Sequence, residues 1–456
     1  MEISINLQSD SPMYSQIYEQ IKKTIITKKI ASHSKLPSKR NLALDLNVSV
    51  HTVKEAYEQL NAEGFIYSKE RAGYFVAPFE FEWQPPIKVA PLSTTVEIKH
   101  PKVDIDFQNG HIDTTSFPYA IWRKLYNKHF RPENLINNTG QGEPSLRFAI
   151  ADYVQRSRGV QCEPSQVFIY GGTQHQLQAL CYFFGPSISV GIEEPGFKRA
   201  RAIFSQSCLH TYGIEVDEFG VKIPTKKLNL LYTTPAHQFP LGMVMSVKRR
   251  ASLLKWASAE NAYIIEDDYD SEYRFKGLPI PSLAQMDQLQ HVIYFGTFSK
   301  TLVPSIRISY MILPSKLVSS FSNFYQEQKT VVSKIDQLLL ADFISQGLFD
   351  KHLSKMRTLY RKKQQALIAA IKTHLSDKFE IIGEKAGLHI ILKLPDYISE
   401  EEAIEKAISV GVQIYPSSNS YVGPPTQQMV IIGYGGLTFE EIEEGILRLK
   451  KVWCQF

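Results

Sequence analysis

The 456-residue sequence predicts a multidomain protein: an N-terminal winged helix-turn-helix domain of the α+β class, then an α/β domain with a smaller C-terminal α+β region. The first 77 residues combine three amphipathic helical segments with two short strands. From about residue 104, short apolar strands alternate with helical segments, which is typical of a doubly wound, mostly parallel sheet. Residues 78–103 contain five prolines and no helical or strand period, which indicates an extended linker.

Within residues 1–77, spacing and capping predict each element. A first helix is predicted over 11–29, because apolar residues recur every fourth position after a Ser-Pro start. A second helix is predicted from Ser38, its N-cap, to Leu46, and a third from about Val50 to Ala62. The segment FIYSKERAGYFVA predicts two short strands joined by a charged turn. Three helices and a hairpin, with a three-residue turn between the last two helices, indicate a winged helix-turn-helix.

The domain predicted over 104–456 divides into a large part, about 104–344, and a small part, about 345–456. In the large part, the segments VFIYGG, SISVGIEEPG, LNLLYTTPAHQFP, YIIEDDYD, HVIYFGTFSK and IRISYMILP predict strands, and several are separated by helical segments. The small part begins with a long basic helix, KHLSKMRTLYRKKQQALIAAIKTHL, and continues into strands around GLHIILKL and MVIIGYG.

Composition excludes several classes of protein. A hydrophobic content of 43% and a charged content of 21% are ordinary for a globular protein, and a net charge of +5 does not by itself indicate a nucleic-acid partner. The four cysteines lack CxxC spacing, which argues against a disulfide framework or a metal site and favours a reducing cytoplasm. We find no signal peptide pattern and no apolar run long enough to span a membrane, so we expect a cytoplasmic protein.

A basic segment in the first 77 residues favours a DNA partner. Between Ile21 and Leu44 there are seven lysines and arginines and no acidic residue. Such a stripe neutralises phosphates and makes binding steeply salt-dependent. The candidate DNA contacts lie near the second helix, at the start of the third and at the hairpin tip: Lys35, Ser38, Arg40, Ser49, His51, Thr52, Lys54, Lys69 and Arg71. On this pattern alone, an accessory helical domain with a solvated basic face is an equal alternative.

The segment KLPSKRNLALDLNVSVHTVKEAYEQLNAEGFI resembles the GntR-type winged helix, and the resemblance covers roughly residues 11–77. The matching motifs are P-S-x-R-x-L-A, V-S-x-x-T-V and A-Y-x-x-L-x-x-E-G. The resemblance implies DNA contacts at Ser38, Arg40, Ser49, His51 and Thr52, with Gly73 in the wing. The chain departs from many relatives at Val50, where they carry arginine, so the resemblance implies no base preference at that position; a valine suits a thymine methyl group.

Several residues of the α/β part match the requirements of pyridoxal 5′-phosphate. That cofactor needs a lysine for a Schiff base, an anion beside its ring nitrogen, a donor to its phenolate oxygen and a phosphate cradle. Lys300 follows a strand, Asp267 ends another with Tyr269 two residues later, and GGTQ at 171–174 joins a strand to a helix. Arg307, Thr297 and Ser299 offer further phosphate donors. Each feature alone has an ordinary structural explanation, but their combination favours the cofactor.

Residues 104–456 resemble the fold-type I aminotransferases, and most closely the MocR family of regulators. The matching motifs are TGQGEPSLRFAIADYVQRSRGV, EEPGFKRAR, TTPAHQFPLGMVMS, EDDYDSEYRF and YFGTFSKTLVPSIRISYMILP. The resemblance implies that Lys300 forms the Schiff base, Asp267 pairs with the ring nitrogen, and Tyr269 bonds the phenolate oxygen, helped by His237 or Gln238. It also implies phosphate contacts or pocket contacts at Gly172, Thr173, Gln174, Phe197, Thr297, Ser299 and Arg307.

The family implies a homodimeric transcription regulator whose two heads bind paired half-sites on double-stranded DNA. Its effector would be pyridoxal phosphate, or the adduct of pyridoxal phosphate with an amino compound. The regulated genes would serve vitamin B6 synthesis or amino-acid metabolism. Because Ile431 and Ile432 stand where an aminotransferase carries its carboxylate-binding arginine, we favour a sensor over an enzyme, with residual transamination possible, and the PdxR type of regulator.

Other interpretations stay open at this stage. Arg199 is a candidate effector contact, although a surface arginine after a turn is the simpler explanation. The chain is alternatively an active aminotransferase with an attached helix-turn-helix domain, or a regulator that responds without cofactor to an unrelated ligand.

Overall fold

The computed structural model describes residues 3–6, 11–78, 103–136, 140–207, 210–275, 280–328, 330–375, 377–425 and 427–454. The chain separates into two compact units, residues 1–98 and 99–456. The predicted linker, 78–103, lies outside the described residues apart from its two ends, as does Cys208.

The first unit has the helices and the hairpin that the sequence predicts. Its elements are α1 Met13–Ile26, α2 Lys39–Asp45, α3 Val50–Ala62, β1 Ile66–Lys69 and β2 Gly73–Val76. The second helix begins after its predicted N-cap, because the Ser38 hydroxyl accepts a hydrogen bond from the Asn41 amide at 3.1 Å. The antiparallel hairpin pairs Ile66 with Val76 and Lys69 with Gly73.

The core of this unit follows the predicted apolar stripe. Ile17, Ile21 and Ile25 are buried on one face of α1, against a face of α3 that includes Leu60. Met13 shares their spacing but is 40% exposed, because it lies in the first turn of the helix, beyond the packed interface.

The second unit alternates strands and helices along most of its length. Its elements are β3 Ile105–Asp106, α4 Tyr119–His129, α5 Pro144–Arg158, β4 Val167–Tyr170, α6 Thr173–Phe184, β5 Ser189–Glu194, α7 Lys198–Ser207, β6 His210–Asp217, β7 Gly220–Val221, β8 Leu230–Thr233, α8 Val247–Ala259, β9 Tyr263–Asp268, α9 Leu283–Met286, β10 Val292–Thr297, β11 Ser309–Ile312, α10 Ser315–Phe324, α11 Lys334–Ser345, α12 Leu348–His374, β12 Glu380–Ile382, β13 His389–Lys393, α13 Glu400–Ser409, β14 Val412–Gln413, β15 Tyr415–Pro416, β16 Met429–Gly433 and α14 Phe439–Trp453.

The main sheet has the strand order β4-β11-β10-β9-β8-β5-β6-β7. The central pairs are parallel, from β10 through β9, β8 and β5 to β6. Strand β11 runs antiparallel to both of its neighbours, because the short segment 298–308 has no crossover helix with which to return the chain to the other edge. The sheet is therefore mostly parallel, as predicted.

Helices cover both faces of this sheet, which makes the architecture doubly wound. Successive residues of a strand alternate between the faces. In β4, Val167 and Ile169 join a core formed with α5 and α11. Phe168 and Tyr170 join the opposite core, formed with α6, α7 and α10.

The small C-terminal part has an antiparallel sheet in the order β12-β13-β16-β15, packed with α12, α13 and α14. The predicted boundary near residue 344 does not separate the large and small parts completely, because a segment near residue 105 also belongs to the small part. Strand β3 pairs with β14, and Ile105 and Phe107 are buried in the core of the small part. A two-residue strand carries too little periodicity to indicate this pairing in the sequence.

No helix in the described part of the chain is long and apolar enough to cross a membrane. The longest, α12, has 27 residues but is rich in lysine and arginine.

Replacing Leu60 by alanine should destabilise the first unit by about 2–5 kcal/mol, because its fully buried side chain would leave a cavity between α1 and α3. Hydrogen exchange of peptides from residues 11–78 measures this unit separately. Leu44, which is 80% exposed on α2, provides the matched control, and its alanine variant should change stability by less than about 0.5 kcal/mol. Equal protection from hydrogen exchange in the Leu60 and Leu44 variants would contradict the assignment of Leu60 to the core of the first unit.

Candidate functional site

A cavity of about 710 Å³ opens where the carboxyl ends of several main-sheet strands meet the small part. All predicted cofactor contacts line it except His237 and Gln238: Gly172, Thr173, Gln174, Phe197, Asp267, Tyr269, Thr297, Ser299, Lys300 and Arg307. In open α/β sheets, ligands bind at this end of the strands.

Asp267 lies at the floor of the cavity with one carboxylate oxygen paired. Its Oδ2 accepts a hydrogen bond from the Tyr232 hydroxyl, whereas its Oδ1 is buried and has no partner among the described residues. Burial raises the pKa of Asp267 to about 7, although the Tyr232 hydrogen bond opposes that shift. A positively charged or proton-donating ligand group against Oδ1 would satisfy the unpaired oxygen.

Tyr269 lies beside Asp267, and His237 lies behind it. The Tyr269 hydroxyl donates to the backbone carbonyl of His237 at 2.9 Å. The His237 ring is buried outside the cavity lining, where its Nδ1 lies 2.9 Å from Oδ2 of Asp270. Gln238 is also outside the lining, because its amide donates to the carbonyl of Pro195 at 2.8 Å. His237 therefore positions Tyr269, and Gln238 holds the adjoining loop.

The start of α6 forms one end of the cavity. The amides of Thr173 and Gln174, in its first turn, have no acceptor among the described residues, and a helix N-terminus favours an anion. Gly172 contributes differently, because its amide donates to the Ser309 hydroxyl at 2.9 Å. Its φ is +114°, and a Cβ there would lie 2.3 Å from a guanidinium nitrogen of Arg307. Glycine thus lets the guanidinium approach the backbone.

The segment after β10 supplies further polar groups at this end. The Ser299 hydroxyl is buried and has no partner among the described residues. Arg307 donates to the carbonyl of Gly171 at 2.9 Å, which holds its guanidinium beside the start of α6. Unpaired amides, a hydroxyl and a guanidinium form a site suited to a phosphate.

The Lys300 side chain enters the cavity from the end of the same segment. A Cβ on Gly110 would lie 2.4 Å from Lys300 Nζ, so a glycine is required where the chain passes the amine. Burial lowers the pKa of the Lys300 ammonium, Asp270 opposes the shift, and Arg199 adds to it. A lowered pKa makes the neutral, nucleophilic amine more available.

The opposite wall combines apolar groups with one cation. Phe197, Phe239 and Ile431 line it, and Ile431 occupies the cavity-facing position of β16. Arg199, from the first turn of α7, also lines the cavity and forms no ion pair with any described residue.

Sequence reasoning missed several lining residues from distant parts of the chain. Tyr232 lies near the end of strand β8 and Thr234 directly follows it, and the strand-end rule that identified Asp267 could have found them. Gln108, Asn109, Tyr415, Asn419 and Ser420 come from segments before the main sheet and within the small part. Their local sequence carries no signal, since only the packing of the small part brings them to the cavity.

In the first unit, the predicted DNA contacts are exposed, apart from half-buried Thr52. The side chain of Lys35 lies 3.6 Å from where a Gly73 Cβ would be, so the segment before α2 lies beside the hairpin. At the start of α3, the His51 side chain is 74% exposed. The side chains of His51 and Lys54 lie near acidic residues one turn later, at 3.7 and 3.5 Å, which are weak exposed pairs that a phosphate can displace.

Two of these predicted contacts, Ser38 and Ser49, also cap helices. Ser49 accepts from the Thr52 amide at 3.0 Å, and the two hydroxyls lie 2.8 Å apart. Ser38 caps α2 in the same manner. A hydroxyl that accepts a capping hydrogen bond keeps its proton, so Ser38 can still donate to a phosphate oxygen.

Comparison with known families covers both units. The model of bacterial regulatory proteins of the gntR family matches residues 13–76. The model of aminotransferase class I and II matches residues 124–449.

Individual relatives match along almost the whole chain. The HTH-type transcriptional regulator YhdI of Bacillus subtilis is 44% identical over 99% of this chain and 97% of its own. The probable rhizopine catabolism regulatory protein MocR of Rhizobium meliloti is 32% identical, over 98% and 95% of the two chains. The pyridoxine biosynthesis regulator PdxR of Corynebacterium glutamicum is 26% identical, over 95% and 94%.

The solved structures that match share the fold of the second unit. Kynurenine aminotransferase from Pyrococcus horikoshii superposes with a TM-score of 0.71 and 24% identity, over 78% of this chain and 91% of its own.

The raised pKa of Asp267 predicts a pH-dependent stability in the cofactor-free protein. The folded chain keeps a proton that the unfolded chain releases above its ordinary pKa of 3.8, so stability falls as pH rises towards about 7. Asp267→Asn removes this dependence. Relative to the variant, the wild type should lose up to about 1.4 kcal/mol per pH unit between about pH 5 and pH 7.

Urea denaturation of both proteins across that range measures the difference. Asp396→Asn, a change at an exposed carboxylate, is the control and should follow the wild type. If the free energy of unfolding depended on pH in the same way in the wild type and in Asp267→Asn, Asp267 would have an ordinary pKa and the prediction would be wrong.

Proposed function

Because the chain belongs to the MocR family, in which a GntR-type helix-turn-helix domain precedes an aminotransferase class I and II domain, we propose that it is a DNA-binding transcription regulator whose second unit binds pyridoxal phosphate as an effector. The observation that carries the proposal is the joint presence of Lys300, the unpaired Oδ1 of Asp267 and the unpaired Ser299 hydroxyl in one cavity.

The polar groups of the cavity match each functional group of pyridoxal phosphate. Thr173, Gln174, Ser299 and Arg307 would hold the phosphate, with Thr297 beside them. Asp267 would pair with the ring nitrogen. Tyr269 would donate to the phenolate oxygen in exchange for its present bond to a backbone carbonyl.

When bound, pyridoxal phosphate supplies an aldehyde that reacts with amines and a ring that withdraws electrons. The chain contributes position and charge. Lys300 presents an amine whose lowered pKa favours the neutral form. Tyr232 holds Asp267 in place through its hydroxyl, and His237, itself bonded to Asp270, holds Tyr269.

The first unit would bind double-stranded DNA with the start of α3 towards base edges and the hairpin towards an adjacent groove. Its exposed cations at Lys35, Arg40, Lys69 and Arg71 suit phosphate contacts. A regulator of this kind would act on DNA in the cytoplasm.

A homodimer would present two such heads to paired half-sites. Exposed apolar side chains on the second unit offer a surface for a second copy, namely Phe130, Leu135, Ile136 and Phe148, exposed by 55%, 62%, 65% and 68%.

The second candidate function is an active aminotransferase with an attached DNA-binding domain. Arg199 favours it, because an unpaired guanidinium in the cavity suits a substrate carboxylate. Ile431 disfavours it, because that side chain offers no charge on the small-part wall. We therefore propose that Arg199 contacts the acidic group of an amino effector, or stays free where pyridoxal phosphate alone is the signal. Vitamin B6 synthesis and amino-acid metabolism are the two candidate pathways.

Pyridoxal phosphate should alter the DNA footprint of the wild type but not that of Lys300→Ala. A ligand shifts an equilibrium only through unequal affinity for two conformations, and removal of the amine eliminates the attachment that provides this difference. Footprinting on a duplex selected by the full chain from a random-sequence pool measures the effect. Lys316→Ala, at an exposed lysine on α10, should behave as the wild type. Identical footprints in every case would refute the coupling of cofactor to DNA.

Steady-state turnover with common amino and keto acids should stay well below about 1 per second, the low end of ordinary enzyme rates. The physical reason is the uncharged Ile431, which offers the substrate carboxylate no ionic contact on the small-part wall. Turnover at or above that rate would favour the aminotransferase function.

A further inference from the structure

Helix α12 presents an exposed basic face that the cofactor site does not use. Between Lys351 and His374 the helix contains no aspartate or glutamate. Lys351, Lys355, Arg361 and Lys362 are exposed. At 100° per residue, these positions fall on one side of the helix, opposite its buried stripe.

The charges of this face are not neutralised by the surrounding protein. None of the four cations forms an ion pair within the described part of the chain. Lys355 donates only to a backbone carbonyl, that of Ser116, at 3.4 Å. Asp350, at the start of α12, pairs with Arg156 at 3.2 Å, and Glu443 of α14 pairs with His374. The face therefore carries an uncompensated positive charge.

The spacing of the lysines suits a linear polyanion. Lys351 and Lys362 are separated by about 16 Å along the helix axis, given a rise of 1.5 Å per residue. Over about the same length, duplex DNA carries about nine phosphates. A rigid helix presents such charges at a lower entropic cost than a flexible loop would.

The buried side of the same helix contacts the segments that form the cofactor cavity. His352 Nε2 donates to the carbonyl of Thr301, the residue after Lys300, at 3.0 Å. Lys363 Nζ bonds the Asp113 carboxylate at 2.7 Å, just beyond the loop that supplies Gln108 and Asn109 to the cavity wall. One helix thus joins the exposed cations to the cavity lining.

We propose that the α12 basic face, defined by Lys351, Lys355, Arg361 and Lys362, is a second DNA contact of this protein, one that binds the phosphate backbone without reading sequence. The inference rests on the proposed function, since the DNA is the duplex held by the winged helix. DNA is favoured over an acidic protein because the face carries no acidic residue and no exposed aromatic anchor.

The test compares two triple variants with the same change in net charge. The test variant is Lys351→Gln, Lys355→Gln and Lys362→Gln. The control variant is Lys227→Gln, Lys248→Gln and Lys255→Gln, at exposed lysines in and before α8. Affinity for a duplex selected by the full-length wild type is measured by fluorescence anisotropy across a range of salt concentrations. Arg40→Ala reports on the winged helix in the same assay, and circular dichroism verifies folding.

The slope of log affinity against log salt should decrease by roughly 2 to 3 in the test variant, because each lost phosphate contact removes about 0.9. The control variant should keep the slope of the wild type. Equal slopes for the test and control variants would overturn the α12 proposal alone. Failure of the wild type to select any duplex would overturn the regulator function and this inference together. Loss of binding to phosphatidylglycerol vesicles, with DNA binding intact, would assign the face to lipid and overturn the inference.

Discussion

Strand β9 carries three consecutive carboxylates, Glu266, Asp267 and Asp268, through the middle of the main sheet. The alternation of side chains separates them. Glu266 accepts backbone amides at the start of α9, and Asp268 accepts from Arg158 at 2.6 Å on that same face. Asp267 alone faces the cavity, with only Tyr232 as a partner. Because backbone amides hold Glu266 and the Arg158 guanidinium pairs with Asp268, Asp267 alone of the three faces the cavity without a protein cation or amide beside it, and the cofactor site depends on that arrangement.

The rest of the site follows from the parallel order of the strands. Strands β4, β5, β8, β9 and β10 run in one direction, so their following segments meet at one edge. That edge collects the start of α6, the turn before α7, and the Lys300 segment. The small part then closes the opposite side, because β3 pairs with β14 and directs Gln108 and Asn109 into the cavity wall.

Sequence reasoning succeeded where a residue's position on a strand or helix determines its neighbours. Asp267 lies near the end of the buried strand β9, Tyr269 and Lys300 follow buried strands, and Ser38 caps its helix, so local pattern was sufficient to predict where these residues lie. It could not assign Gly172 its role, because the bond from its amide to Ser309 joins segments 137 residues apart. The same limit explains why the pairing of β3 with β14 and the lining residue Asn419 were missed. Neither has a local signature, since both depend on how the small part packs.

Ile431 offers no charge on the small-part wall of the cavity, and this determines which part of the second unit can pair with a ligand's acidic group. A cation on β16 would belong to the small part, so a bound carboxylate would draw the small and large parts together. In this chain the available cation, Arg199, belongs to α7 and therefore to the large part, as do Lys300 and Asp267. A ligand bound to these three groups would gain no ionic contact from movement of the small part. Any difference in affinity between conformations would then come from uncharged contacts with small-part residues such as Tyr415, Asn419 and Ile431, or from α12, which contacts the Lys300 segment directly.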